Sequence, residues 1–237
     1  MIFKYKKFLF FVFILFFTGN LSAETLFKVD FADAYGNVET WLKNRGWRIE
    51  GDFKNMNARF ENNSLVLEPT DDGSVLIGLE FKQDEYLKEV NNIKIIWGVD
   101  QYPMGADWSG PKESKRNTRE PIAVLIFFGE EKIDSGGTLF PPDAPYFVGL
   151  FLGKDEKPGI AYFGNYYQKS GRYYCDSCDG SLGQFATTVN IRNRFEVAFS
   201  IQPPPVTKLS IEVDVGNTEK VNRRYSKAYI KSIELLN

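Results

Sequence analysis

Apolar and polar residues alternate along most of this chain with a period of two, and from Ser74 to Phe81 the side chains of Val75, Ile77, Leu79 and Phe81 fall on one face. That spacing predicts a half-buried β-strand. Similar short segments recur at Leu26–Phe31, Trp47–Glu50, Ala58–Asn62, Ser64–Glu68, Tyr146–Leu152, Gly159–Tyr167, Ala186–Ile191, Phe195–Ile201, Lys208–Val215 and Ala228–Leu235. Two more, Ile93–Asp100 and Ile122–Phe128, are rich in β-branched and aromatic residues and read as neighbouring strands in the middle of one sheet. Asn62-Asn63 suits a tight turn. Helical spacing is confined to Asn37–Leu42 and Asp84–Val90.

Roughly a dozen strands separated by Gly, Pro, Asn and Asp predict an all-β fold, a two-sheet antiparallel β-sandwich of the jelly-roll type. A parallel α/β sheet would need a helix between successive strands, and the pattern offers none. Pro141-Pro142, Pro145, Pro158 and Pro203–Pro205 all lie between predicted strands, where a missing backbone donor harms no ladder.

The first 23 residues break this pattern. Lys4, Lys6 and Lys7 precede the unbroken apolar run Phe8–Phe17, and Leu21-Ser22-Ala23 ends on a small residue, as a cleaved export signal does. The run is shorter than the ~20 apolar residues of a membrane span. The expectation is therefore a signal peptide at 1–23 and a single domain at 24–237, exported to the periplasm or secreted, with no transmembrane span in the mature form. Taking those three lysines from the 29 basic residues leaves 26 against 31 acidic ones, which disfavours nucleic acid as a partner.

The chain contains no histidine, which excludes Ser-His-Asp and Cys-His catalysis and His-ligated metals. Three groups of residues carry candidate chemistry. Trp97, Asp100, Tyr102, Asp107 and Trp108 place aromatic rings beside carboxylates, the combination that covers the C–H face of a sugar and grips its hydroxyls. Trp97 sits inside a strand, where the core claims most large rings, whereas Trp108 lies in a polar loop and is the better candidate for a surface role. Asp214 and Asn217 extend this ligand-binding set.

In the second group, Glu212 and Asp214 project to one face of a strand, a spacing that suits a polysaccharide hydrolase or lyase. The segment begins like the Glu-x-Asp-x-x-Glu strand of laminarinase-type glucanases, but Gly216 and Asn217 stand where the further acid is required. The third is Cys175-Asp-Ser-Cys178, followed by a turn rather than a helix, which predicts a local disulfide rather than a redox catalyst or zinc site. No cofactor is indicated. Asp30, Asp33, Asp176, Asp179 and Asp214 are oxygen donors of the kind a structural calcium takes, but EF-hand spacing is lacking.

Trp97-Gly98-Val99-Asp100, Gly105-Ala106-Asp107, Asp214 with Asn217-Thr218, and Tyr229–Ile233 together resemble an uncharacterised bacterial periplasmic family catalogued as a domain of unknown function. The resemblance implies a β-sandwich of the carbohydrate-binding type and brings no assigned activity. The sequence thus points first to a non-catalytic exported sandwich that binds a glycan or other cell-envelope component. Alternatives are the hydrolase or lyase through Glu212 and Asp214, and an envelope protein-interaction module.

Overall fold

The structure is a computed structural model, and it describes residues 23–112, 114, 116–138 and 141–237. The expected export signal lies outside these residues apart from Ala23. In chain order the elements are β1 (Thr25–Asp30), α1 (Val38–Lys43), β2 (Arg48–Gly51), β3 (Arg59–Glu61), β4 (Ser64–Leu67), β5 (Ser74–Glu80), β6 (Asn92–Gln101), β7 (Glu120–Ile133), β8 (Ala144–Leu152), β9 (Ala161–Tyr162), β10 (Gly171–Ser177), β11 (Gly183–Asn190), α2 (Ile191–Phe199), β12 (Val206–Asp214) and β13 (Lys227–Leu236).

The strands form two layers. One sheet runs β11-β6-β13-β4-β3, with β1 also paired to β13; the other runs β2-β5-β12-β7-β8-β10-β9. Every pairing is antiparallel except β8 with β10. This is the all-β sandwich that the alternation predicts, and the period of two explains it: Ile93, Ile95, Trp97 and Val99 of β6 face Ile122, Val124, Ile126 and Phe128 of β7 and Leu209, Ile211 and Val213 of β12 across one core. Each large side chain fully withdrawn from water there contributes about 1.5–3 kcal/mol. The turn between β3 and β4 uses Asn62 and Asn63, both with positive φ (51° and 58°), as the tight hairpin requires.

Four expectations are corrected. β6 and β7 are not neighbours: they lie in opposite sheets, β6 between β11 and β13, β7 between β12 and β8. A hydrophobic strand face announces that it is buried without saying which sheet carries it. Phe195–Ile201 is not a strand but mostly the second half of α2. Its apolar residues alternate, yet Asn190 caps the helix by accepting from the Asn193 N–H at 2.7 Å, and the buried residues are Ile191 and Phe195, one turn apart. Val197, at the alternating position, is exposed. The segment Asp84–Val90 forms no helix beyond one 3-10 turn at Gln83–Glu85, because Leu87 bridges to Val206. Only Ala161–Tyr162 of the 159–167 segment is strand, and the sheet is extended instead by β10, whose Tyr173, Tyr174 and Cys175 are buried.

Candidate functional site

A second, smaller apolar cluster lies on the outer face of the β7-containing sheet, made by Trp108, Ala123, Leu125, Phe127, Phe147, Phe151, Tyr173 and the two cysteines. Beside it opens a cleft of about 810 Å³, within the ~300–1,000 Å³ typical of ligand sites. The carboxyl groups lining it include Glu212 and Asp214 from β12 and Glu120 from the first residue of β7. Because β12 alternates, Ile211, Val213 and Val215 enter the core and Glu212 and Asp214 turn outward.

Glu120 reaches the same face by a break in register. Glu212 pairs with Ala123 and Asp214 with Glu120, so Pro121 and Ile122 together oppose the single residue Val213. This is a β-bulge, and the surplus residue reverses the direction of everything before it. By simple alternation from Ile122, Val124, Ile126 and Phe128, Glu120 would sit in the core. Pro121 fits the bulge because the disrupted ladder leaves a place for a residue without an N–H.

The three acids have different partners. Asp214 Oδ2 accepts from Arg119 Nη1 at 3.0 Å and Oδ1 from the Gly216 N–H at 2.9 Å. Arg119 also donates through Nε to the Gly216 carbonyl at 2.7 Å, which fixes the guanidinium. Burial raises the Asp214 carboxyl above its ordinary value, but Arg119 and that N–H favour its anion. Among the described residues Glu212 accepts only from the Tyr173 hydroxyl, at 3.4 Å, and burial together with the neighbouring Asp214 charge pushes its carboxyl up to about 8. Glu120, 2% exposed, is driven well above the usual range by burial and then by the charges of Glu212 and Asp214. Burial and the same carboxylates push the Tyr173 hydroxyl far up, and Tyr167 on the cleft wall rises to about 12, mainly through burial. Glu212 is thus biased toward its protonated form beside a carboxyl that Arg119 pairs with.

The ligand-binding candidates separate. Trp108 and Asp214 meet in the cleft. Trp108 is 6% exposed rather than presented to solvent: its ring lies 5.0 Å from Phe151 and 4.6 Å from Tyr173, its indole N–H donates to Glu120 and its backbone N–H to Glu156. Asn217, with positive φ, lies just past Asp214 and donates its backbone N–H to Asp72. Trp97 is enclosed between the sheets at 0% exposure, donating to the Thr187 hydroxyl at 2.9 Å. Asp100 belongs to the opposite sheet, ion-paired with Lys227 at 2.7 Å beside a small hollow of about 190 Å³. Tyr102 donates to the Ser181 carbonyl, and Asp107 accepts from the Ser109 N–H in a local turn.

Glu120, Arg119 and Tyr173 were not among the residues expected from the sequence. The available signal was a Glu placed directly before the apolar run Pro121–Phe128, a charge at a position where alternation allows none. Cys175 and Cys178 form the predicted disulfide, with Cα atoms 5.8 Å apart, at the end of β10. Among the described residues no cluster of three or more potential ligands is placed to hold a metal ion, and no helix is long and apolar enough to cross a membrane.

No family model and no curated protein matches the chain. Among solved structures it is similar to a mutant of the Emp46p carbohydrate recognition domain (TM-score 0.42, 12% identity, 91% of this chain and 98% of that one). It is also similar to a mutant family 29 carbohydrate-binding module complexed with cellulohexaose (0.36, 8%, 92% and 93%), and to a family 12 xyloglucanase from Bacillus licheniformis (0.37, 8%, 91% and 99%).

Proposed function

We propose that the protein is a carbohydrate-active hydrolase working in the cleft on the outer face of the β7 sheet. The observation that carries this is the side-by-side opening of Glu212 and Asp214 into one cavity, the first biased to hold a proton and the second paired with Arg119 at 3.0 Å. A glycosidic bond is cleaved by such a pair. Glu212 gives its proton to the departing glycosidic oxygen as the C–O bond breaks. The Asp214 carboxylate balances the positive charge that grows on the anomeric carbon, and water then supplies oxygen to that carbon and returns a proton to Glu212. Histidine is not needed at any step.

Incubation of the protein with a panel of polysaccharides, with new reducing ends as the readout, tests this. Products expected from the wild type should vanish in Glu212→Gln. Unsaturated non-reducing ends accompanying the new reducing ends would assign a lyase, and absence of any product from every substrate would overturn catalysis. Glycan binding without turnover is supported by a different observation: Asp214 and Glu120 already have internal partners, while the Tyr166 ring on the cleft wall is 49% exposed and free to stack on a sugar. Binding by calorimetry with no product would select it. The buried disulfide supports residence in an oxidising compartment outside the cytosol.

A further inference from the structure

The edges of the two sheets are treated unequally. β2 is four residues long and carries Arg48 and Glu50; β3 is three residues long and carries Arg59 and Glu61; β9 has two residues. β1 bears Lys28 and Asp30 and has a register break near its start. Short length, charge and irregularity are the devices by which proteins keep strand edges from pairing with other chains. β11 has none of them. It runs for eight residues, Gly-Gln-Phe-Ala-Thr-Thr-Val-Asn, without a charge or a proline, and pairs with β6 in unbroken register from Gly183↔Val99 to Asn190↔Asn92.

Its other side is open. β11 ends its sheet, and no backbone N–H or C=O of residues 183–190 forms a hydrogen bond to anything but β6 among the described residues, the helix start at Asn190 aside. Gln184, Ala186, Thr188 and Asn190 are exposed on the outer face. A sheet edge so complete is a template for strand addition.

We infer that β11 is a homodimer joint, at which a second copy of this chain pairs its own β11 antiparallel and fuses two six-stranded sheets into one. A second copy suits the edge better than a foreign strand. The exposed side chains are short and uncharged, and give no means of selecting a foreign sequence, whereas pairing about a two-fold axis sets no charge against another. On the inner face, Thr187 and Val189 are buried and Phe185 packs against the core, so in a symmetric joint these residues would meet their own kind and continue the inner layer across it.

Sedimentation velocity of the full chain across a range of concentrations tests this. The wild type should associate to a dimer. The double variant Gln184→Lys, Thr188→Lys sets like charges together across the joint and should weaken association by about tenfold or more. Both substitutions are on the exposed face, and an unchanged urea midpoint of the dissociated variant shows that its fold is intact. A wild type that remains monomeric throughout, or a dimer that the double variant leaves equally tight, would overturn the joint. Capture of an unrelated extended peptide by a monomeric wild type would do the same.

Discussion

The indole N–H of Trp108 donates to Oε2 of Glu120 at 3.1 Å, joining the middle of the long loop after β6 to the first residue of β7. The loop is pinned from a second direction, since the Trp108 backbone N–H donates to Glu156 at 3.1 Å. A ring that looks free in the sequence is thereby made the roof over a buried acid.

Trp108→Phe keeps most of the packing against Phe151 and Tyr173 but leaves Glu120 without its donor. The expected loss of stability is about 1–3 kcal/mol, the cost of an unsatisfied buried polar group. Trp108→Ala also opens a cavity and should cost about 3–5 kcal/mol. Urea unfolding followed by fluorescence of the remaining tryptophans measures both.

Glu212→Gln removes the proposed proton donor while keeping shape and hydrogen-bonding capacity. Turnover should fall by about 10²–10⁴-fold, the usual contribution of a general acid. Affinity for the polysaccharide should change little. Steady-state kinetics beside calorimetric binding separates the two.

Stability should fall as pH rises. Glu212 binds its proton more tightly in the folded protein, with a pKa of about 8, than in the unfolded chain at its ordinary 4.5, and Glu120 is shifted in the same direction. The folded state therefore holds more protons across that window, the contribution is complete below the unfolded value, and it is lost as pH climbs through the folded one. The urea midpoint should decline over this range, and Glu120→Gln should flatten the decline. On the proposed mechanism hydrolysis should fall along the same alkaline limb, because Glu212 acts there as the proton donor.

Replacing Cys178 by serine opens a loop of only a few residues, so global stability should drop by about 2 kcal/mol. Tyr173 lies two residues before Cys175 in the same strand and packs on Trp108. Loosening should therefore reach the cleft, and wild-type protein treated with reductant under mild denaturation should show weaker glycan binding together with its lower thermal midpoint.

Much of the architecture was legible in the chain because the sandwich is built from local alternation. Ser74–Phe81 and Lys208–Val215 place their inward residues as their spacing predicts, and even the Asn62-Asn63 turn is written in two residues that tolerate positive φ. What stayed hidden is non-local. The opposition of β6 and β7 across the core depends on which strands each of them pairs with, and hydrophobic patterning is silent about partners. α2 misled for a different reason, since Phe195, Val197, Phe199 and Ile201 alternate like a strand and only the cap at Asn190 decides for a helix. Of the site, Glu212 and Asp214 were visible as a pair, but the third acid beside them stands on the neighbouring strand. Glu120 was invisible because one extra residue turns it out of the core.

That extra residue also makes the start of β7 unequally tolerant of length changes. Deleting Pro121 would remove the surplus and set Glu120 directly before the core-facing Ile122, so plain alternation alone would keep its carboxyl on the cleft face. An inserted residue is the damaging change: with the bulge already absorbing one surplus residue, a second would turn Glu120 inward among Val213, Val215 and their apolar neighbours and carry Arg119 away from Asp214.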